Sequence, residues 1–376
     1  MTTEDEDLKE TPNNSNEVVD EAEELANSVG NLEPISYFGT DFDVHGLVRR
    51  LNLGEVIVPN FDPEPESESD LSGFQRKFVW KKLQMDRFIE SLLLGFPVPG
   101  IFLVQQSDKK LLVLDGQQRL RTLQRFYREQ VSSEVSFKLE TVGDQFKGLT
   151  YTTLEDDQRR TLDNTFIHAT IIKYNPDLGG DESVYSLFER LNTGGTNLYP
   201  QEIRVALYHG ALVELLRELN SDPNWRSMFG PPSDRLKDQE IILRFLALWK
   251  EGDVYKRPLK TFLNAFLARH RNLEGLDREQ LAQMFRSVCE VANSSMGRSA
   301  LRAGIQVNAA FADAILVGLA ARLTEGDIRD HPAIRAAREA LIDDPEFQSA
   351  IARATADEER VSRRLNLARA ALRNVQ

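Results

Sequence analysis

Leu111-Leu112-Val113-Leu114-Asp115-Gly116-Gln117-Gln118-Arg119-Leu120 is the stretch that decides the fold of this chain. Its four leading apolar residues predict a buried strand, and Asp115-Gly116 predicts a turn. From Gln117 onward, apolar residues recur every three to four positions, which predicts an amphipathic helix. A strand that leads through glycine into a helix is typical of an anion site, because the first N–H groups of a helix lack internal partners.

Two residues of this stretch suit a phosphate group. Gly116 has no Cβ to keep a phosphate away from the backbone. Arg119 supplies a forked guanidinium one turn into the helix, which matches a pair of phosphate oxygens. A strand, a turn and an amphipathic helix also form a common structural unit, so the spacing alone leaves a purely architectural role open.

The segment Asp115-Gly116-Gln117-Gln118-Arg119 resembles the signature of the DGQQR family, a domain found at the N-terminus of GmrSD-type modification-dependent restriction enzymes. Further stretches resemble the family in the expected order. They are residues 74–80 with 89–99, and residues 188–195 with Leu198 and residues 201–204. Together these blocks cover roughly residues 36–210, which makes the resemblance specific.

The strand followed by Gly116-x-x-Arg119 also resembles the ParB/sulfiredoxin superfamily, in which a Gly-x-x-Arg turn holds nucleotide phosphates. The resemblance implies a nucleoside triphosphate with its phosphates against Gly116, Gln117, Gln118 and Arg119. It also implies Mg²⁺, because carboxylate oxygens and phosphates are its usual ligands. Asp115 would orient the loop or hold the metal ion.

Other residues of the resembling blocks are expected around the same nucleotide. Glu189 and Asn192 lie about one helical turn apart, and they are the next candidates for magnesium or for positioning an attacking water. Gly194-Gly195 suits a close approach of the backbone to a ligand. Arg76 and Asn192 would close the site. The expected catalytic residues are Asp115, Gln118, Arg119, Glu189 and Asn192.

Composition sets the limits of these expectations. The 376 residues allow two or three domains, and the single cysteine, Cys289, excludes an internal disulfide and a cysteine metal cluster. Cys289 lies among apolar residues and is expected in the core. No apolar run is long enough to span a bilayer, and the acidic N-terminus does not resemble a secretory signal, so a cytoplasmic protein is expected.

The charge is concentrated at the N-terminus. Residues 1–33 hold eleven acidic side chains and one lysine, so most of the net charge of −13 lies there. This segment is expected to be a disordered, solvating tail. The alternative is an acidic mimic that occupies a basic groove until DNA displaces it. The remainder is close to neutral, so its charge neither repels nucleic acid nor indicates sequence-independent DNA binding.

The predicted fold is α+β, with three parts. An acidic tail over residues 1–34 precedes a ParB/sulfiredoxin-like nucleotide-binding domain over residues 35–175, and an all-helical domain occupies residues 176–376. Strands are predicted over residues 101–104, 111–114, 135–139 and 166–174, the first two as an antiparallel hairpin. Pro200 is predicted to open one helix that continues to Leu219.

The last predicted helix, over residues 357–374, has one strongly basic side. Five arginines lie opposite a stripe of Val361, Leu365, Ala368 and Leu372. They are Arg360, Arg363, Arg364, Arg369 and Arg373. Such a face is usually solvated, with DNA contact as the alternative reading.

Several common sites are missing from the sequence. There is no Gly-x-x-x-x-Gly-Lys-Ser/Thr loop, which excludes a P-loop NTPase. The five histidines are dispersed, and His168 is expected to have a structural role on a strand. Restriction proteins of the resembling family often carry a C-terminal HNH nuclease, but no His and Asn cluster follows residue 210. The resemblance therefore implies that the nuclease is either a separate subunit, which would be a partner of this chain, or absent, and it leaves a homodimer open.

The leading functional hypothesis is a nucleotide-binding and nucleotide-hydrolysing sensor or regulator of a modification-dependent restriction system that defends against phage. One alternative is a non-catalytic module of the same fold that binds DNA or a partner protein. A weaker alternative is a ParB-like metal-dependent nuclease that uses Asp115 and Glu189.

Overall fold

The computed structural model describes residues 34–59, 80–106, 108–128, 137–173, 181–191 and 199–375. These residues form a five-stranded sheet and many helices, which confirms the α+β prediction. The chain divides into two compact units. We call residues 32–214 with 233–237 the sheet unit, and the unit made mainly of residues 215–232 and 238–376 the helical unit. The predicted acidic tail lies outside the described residues, apart from Pro34.

The sheet is mixed, with strand order β1-β5-β3-β4-β2. Strands β3 and β4 pair antiparallel, with Val104 opposite Leu112, so the predicted hairpin is confirmed. Strand β5 lies between β1, to which it is antiparallel, and β3, to which it is parallel. The strands are β1 (Ser36–Asp43), β2 (Val56–Ile57), β3 (Ile101–Gln105), β4 (Leu111–Asp115) and β5 (Phe166–Lys173).

Helices cover the sheet because its strands are apolar on their inner faces. The helices of this unit are α1 (Val44–Asn52), α2 (Lys82–Leu93), α3 (Gln117–Tyr127), α4 (Asp156–Asp163), α5 (Asp181–Leu191) and α6 (Pro200–Leu207). Leu111 and Val113 share one core with residues of α1 to α4. Leu112 and Leu114 point to the opposite face of the strand and are also buried. Helix α5 packs against β4.

The prediction of the strands was wrong for one strand and missed another. The strand expected over residues 135–139 is absent from the described residues 137–140, because Leu139 forms backbone hydrogen bonds with Leu149 and Gly148 in its own loop. Strand β1 was missed, since its Gly39, Asp41 and Asp43 are residue types depleted in strands.

The helix predicted from Pro200 to Leu219 is instead two helices. Helix α6 ends at Leu207, and α7 (Ala211–Asn220) begins after the Gly210 break. The prediction placed α5 and α6 in the helical domain, whereas the contact pattern groups them with the sheet.

The helical periodicity of the sequence did not indicate α8 and α14, because these helices span only seven and eight residues. The remaining helices are α8 (Pro223–Phe229), α9 (Lys237–Glu251), α10 (Leu259–Arg269), α11 (Arg278–Met296), α12 (Ala309–Leu323), α13 (His331–Asp343), α14 (Pro345–Ala352) and α15 (Glu358–Leu372). Helix α12 is buried over most of its length and packs against α15. Cys289 on α11 is fully buried, as predicted. Within the described part of the chain, no helix combines the length and apolarity needed to cross a membrane.

The prediction of a solvated basic face on α15 is only partly correct. Arg364 is fully buried and pairs with Asp313 of α12, so its expected exposure was wrong. A guanidinium can be buried when a carboxylate from another helix compensates it. Arg360 donates to the Ser349 carbonyl, Arg363 pairs with Glu359, and Arg369 lies 3.6 Å from Asp253. DNA contact by this helix stays a prediction.

Other arginines of the helical unit satisfy carbonyl groups at helix ends. Arg302 donates to the carbonyls of Met228 and Phe229 at the end of α8. Arg335 donates from two nitrogens to the Ser295 carbonyl near the end of α11. The last carbonyls of a helix lack internal partners and carry the negative end of the helix dipole, so a guanidinium stabilises them.

Candidate functional site

The predicted strand, turn and helix around Gly116 are confirmed. Strand β4 ends at Asp115, Gly116 has a φ of 96°, and α3 begins at Gln117. This φ lies in the left-handed region, which glycine adopts without strain. The turn therefore brings the strand directly to the N-terminus of α3.

Gly116 is also required by its packing. An added Cβ would overlap Ile101 Cγ2 at the start of β3, and it would lie 3.1 Å from Ile101 Cβ. From the sequence, Gly116 was expected to allow the close approach of a phosphate. The structure supplies a second reason, because the turn has no room for a side chain beside Ile101.

The N-terminus of α3 presents hydrogen-bond donors that have no acceptor among the described residues. Gly116 is the N-cap and offers no side-chain acceptor. Among the described residues, no group accepts from the backbone N–H groups of Gln117, Gln118 or Arg119. The side-chain Nε2 of Gln117 is buried and also has no partner there. Unsatisfied donors and the positive end of the helix dipole favour an anion at this position.

Arg119 and Asp115 form an ion pair across the turn. Arg119 Nη2 lies 2.7 Å from Asp115 Oδ2. The Arg119 side chain is only 12% exposed, whereas that of Asp115 is 43% exposed. The guanidinium is thus held beside the start of α3, and the carboxylate faces solvent.

The side chain of Gln118 has a partner far away in sequence. Its Oε1 accepts a hydrogen bond of 3.3 Å from the backbone N–H of Trp80. One turn further along α3, Arg121 Nη2 donates to the Pro59 carbonyl at 2.8 Å. The two described flanks of the segment 60–79 are therefore both hydrogen-bonded to the first half of α3.

The other predicted site residues are only partly placed by the structure. Glu189 is half-buried on α5, the helix that packs against β4, the strand that ends at Asp115. Arg76, Asn192, Gly194 and Gly195 lie outside the described residues. No described group of three or more His, Cys, Asp or Glu side chains is arranged to hold a metal ion.

Sequence reasoning missed two carboxylates on α2 that hold the loop after residue 137. Asp86 is fully buried, pairs with Lys82, and accepts from the backbone N–H groups of Glu140 and Thr141. Glu90 accepts from Gly143 at 2.7 Å. Asp86 and Glu90 are spaced by four on α2, and this spacing was the signal available in the sequence. A helix rarely buries an unpaired carboxylate, so such residues indicate partners in another segment.

Aromatic residues of the sheet unit have structural partners. The ring of Trp80 packs edge-on against that of Phe88, with the two centroids 5.6 Å apart, and it also packs against the core. The rings of Tyr127 and Tyr151 stack with their centroids 4.1 Å apart, and both hydroxyl groups donate hydrogen bonds to the Asp163 carboxylate. Burial and the Asp163 carboxylate raise the pKa of Tyr127. His168 pairs with Asp41 on the neighbouring strand at 2.8 Å, in the structural position expected for it.

Comparison with known proteins identifies the domain around this turn. Residues 65–209 match the family model described as "GmrSD restriction endonuclease, N-terminal domain". No curated protein matches the chain. The matched segment contains β3, β4 and β5 and the Asp115–Arg119 turn, whereas the edge strands β1 and β2 precede it. The match confirms the resemblance found in the sequence and is consistent with a GmrSD-type N-terminal domain over residues 65–209.

Proposed function

We propose that this chain binds a nucleoside triphosphate at the Asp115–Arg119 turn and hydrolyses it. In this proposal it acts as a sensor or regulatory component of a modification-dependent restriction system. The observation that carries the proposal is the start of α3, where backbone donors without a described acceptor lie beside the largely buried Arg119 guanidinium. The family of residues 65–209 relates the chain to restriction systems.

The donor set fits the phosphates of a nucleotide. Three successive backbone N–H groups and the buried Gln117 amide would donate to phosphate oxygens. Among the described residues Arg119 uses only Nη2, for Asp115, so its remaining N–H groups would be directed to a ligand. These are the groups that stabilise charge on a transferred phosphoryl group.

Mg²⁺ fits the same position if the nucleotide shares in its coordination. Magnesium in nucleotide sites is usually held by one or two carboxylates together with the phosphates. Asp115 Oδ1 has no hydrogen bond to the described residues and would face the ion, with Glu189 as the second carboxylate. When bound, the ion would neutralise charge on the phosphates.

The protein's own residues then have separate tasks. The α3 N–H groups and Arg119 bind and orient the phosphates. Gln118 acts through the backbone of Trp80 and is therefore a positioning residue. Glu189 and Asn192 are the candidates for aligning the attacking water, and Arg76, Gly194 and Gly195 for closing the site.

The test is nucleotide binding and phosphate release by the purified chain. ATP, GTP, CTP and UTP are supplied with Mg²⁺, with and without modified DNA. Arg119→Ala should abolish phosphate release and weaken binding at least about tenfold, as expected for a lost charge-assisted bidentate contact. Arg160→Ala is the matched control, because Arg160 forms an exposed ion pair with Asp157 on α4. Equal binding by wild type and Arg119→Ala would refute the site.

The same experiment separates the alternatives. Tight binding without phosphate release would favour a non-catalytic module that binds DNA or a partner protein. Metal-dependent nicking of DNA that is lost in Asp115→Ala would favour a nuclease. A separate nuclease subunit, the partner proposed for the hydrolysing sensor, would be found by co-purification in the presence of nucleotide, and its absence there would favour a chain that acts without a nuclease.

A further inference from the structure

We infer that Asp115 makes this site selective for magnesium-bound triphosphate over metal-free triphosphate. The inference rests on the proposed function and concerns the same turn. It assigns Asp115 a role beyond that of a metal ligand, as the negative charge that opposes any polyphosphate arriving without its cation.

The ion pair with Arg119 places this charge at the anion site. Asp115 Oδ2 lies 2.7 Å from Arg119 Nη2, and Gly116 alone separates Asp115 from the first residue of α3. An added Cβ on Gly116 would lie 3.3 Å from Arg119 Nη2, so the guanidinium folds back over the turn. Carboxylate, guanidinium and helix N–H groups therefore meet within one turn of chain.

The exposures of the two partners differ in the direction that selectivity requires. Arg119 is mostly buried, while nearly half of the Asp115 side chain faces solvent. An anion that contacts Arg119 therefore lies close to the Asp115 carboxylate, whose Oδ2 is 2.7 Å from Arg119 Nη2. A metal-free triphosphate carries more negative charge than its magnesium complex, so Asp115 repels the free form more strongly.

A competing reading gives Asp115 only a mechanical task, which is to hold Arg119 in place. The two readings make opposite predictions for Asp115→Asn. The asparagine Oδ1 still accepts a hydrogen bond from Arg119, so the orientation is kept while the charge is removed. Loss of a repelling charge strengthens binding of metal-free anions, whereas loss of a purely mechanical support weakens it or leaves it unchanged.

The experiment measures affinity by calorimetry with EDTA or with Mg²⁺. The probes are inorganic triphosphate, which has no base, and the four nucleoside triphosphates. Wild type, Asp115→Asn, Arg119→Ala and Asp157→Asn are compared. Asp157 is the matched control, because it belongs to a second Arg–Asp pair on α4 and its side chain is 91% exposed.

For wild type, Mg²⁺ should strengthen triphosphate binding at least about tenfold, since a unit charge a few Å away near the surface has an effect of this order. Asp115→Asn should bind metal-free triphosphate about tenfold more tightly than wild type and respond less to Mg²⁺. Asp157→Asn should match wild type. Equal or weaker metal-free binding by Asp115→Asn overturns the inference while leaving the nucleotide site intact. Absence of triphosphate binding by wild type under both conditions overturns the proposed function and this inference together.

Discussion

Replacement of Asp313 by asparagine tests the main electrostatic feature of the helical unit. Asp313 on α12 is fully buried and accepts three hydrogen bonds from two guanidiniums. Arg244 donates from Nε at 3.0 Å and from Nη2 at 2.7 Å, and Arg364 donates from Nη2 at 2.9 Å. The substitution keeps the shape of the side chain and removes the carboxylate charge that faces two largely buried guanidiniums.

We expect Asp313→Asn to lower the free energy of unfolding of the helical unit by about 3–5 kcal/mol, the usual cost of removing one partner from a buried ion pair. The upper part of that range applies, because the carboxylate serves two guanidiniums whose side chains are 10% and 0% exposed. The matched control is Asp253→Asn. Asp253 is 92% exposed and lies 3.6 Å from Arg369, so its loss should cost less than about 1 kcal/mol.

Urea unfolding at equilibrium measures the effect, with tryptophan fluorescence as the probe. The chain has three tryptophans, and Trp225 and Trp249 lie in the helical unit. A Trp80→Phe background therefore makes the fluorescence specific to that unit. Equal midpoints for Asp313→Asn and Asp253→Asn would refute the argument that the triad stabilises the unit through its charge.

The pH dependence supplies a second check on the same residue. Burial alone would raise the pKa of Asp313, but the Arg244 and Arg364 guanidiniums outweigh it and hold the pKa below its usual value. A carboxyl with a lowered folded pKa contributes fully above its unfolded pKa of about 3.9, and the contribution is lost as the pH falls toward the folded value. The stability difference between wild type and Asp313→Asn should therefore be constant near neutral pH and shrink below about pH 4.

Two further predictions concern packing. Gly116→Ala should lower the free energy of unfolding of the sheet unit by about 2–4 kcal/mol in a urea titration, because the alanine would have a strained φ and its Cβ would overlap Ile101. The control is Gly54→Ala, which should cost only about 1 kcal/mol, because Gly54 has a φ of 67° but open space around it. Similar losses in both variants would show that the overlap with Ile101 does not contribute. Burial, with a contribution from Asp222, raises the pKa of the Cys289 thiol. The thiol of the native protein should therefore resist thiol reagents at pH 8 and react fully in urea. Because the unfolded thiol ionises at lower pH than the folded one, the free energy of unfolding should fall as the pH rises above about 8.5. Rapid labelling of the native protein would contradict this account of Cys289.

Local sequence patterns were sufficient for the central turn. A run of apolar residues, a glycine and an amphipathic helix predicted β4, Gly116 and α3, because strand and helix periodicities act over a few residues. The same reasoning identified Arg119 as the nearest guanidinium. It did not reveal that Arg119 pairs with Asp115, because that contact depends on how the side chain folds back over the turn.

Contacts between distant residues were beyond the reach of these patterns. The expected contact of Gln118 with the nucleotide stays a prediction, and the structure adds that its amide oxygen accepts from the backbone N–H of Trp80, 38 positions earlier. Arg364 was read as part of an exposed basic face, yet its partner Asp313 lies 51 positions away. In each case the partner is brought in by packing of another element, and helical periodicity carries no information about it.

The sequence by itself determined the domain family, the strand–glycine–helix turn and the burial of Cys289, since each follows from residue types at short spacing. Only the tertiary structure decided which polar groups are already paired and which are left without a described partner. A charged group is buried only where the fold supplies a compensating charge, and a helix N-terminus binds an anion only where nothing else satisfies its donors. Those two conditions distinguish Arg364, which belongs to the core, from Arg119, which lies beside the start of α3, where the first N–H groups have no acceptor among the described residues.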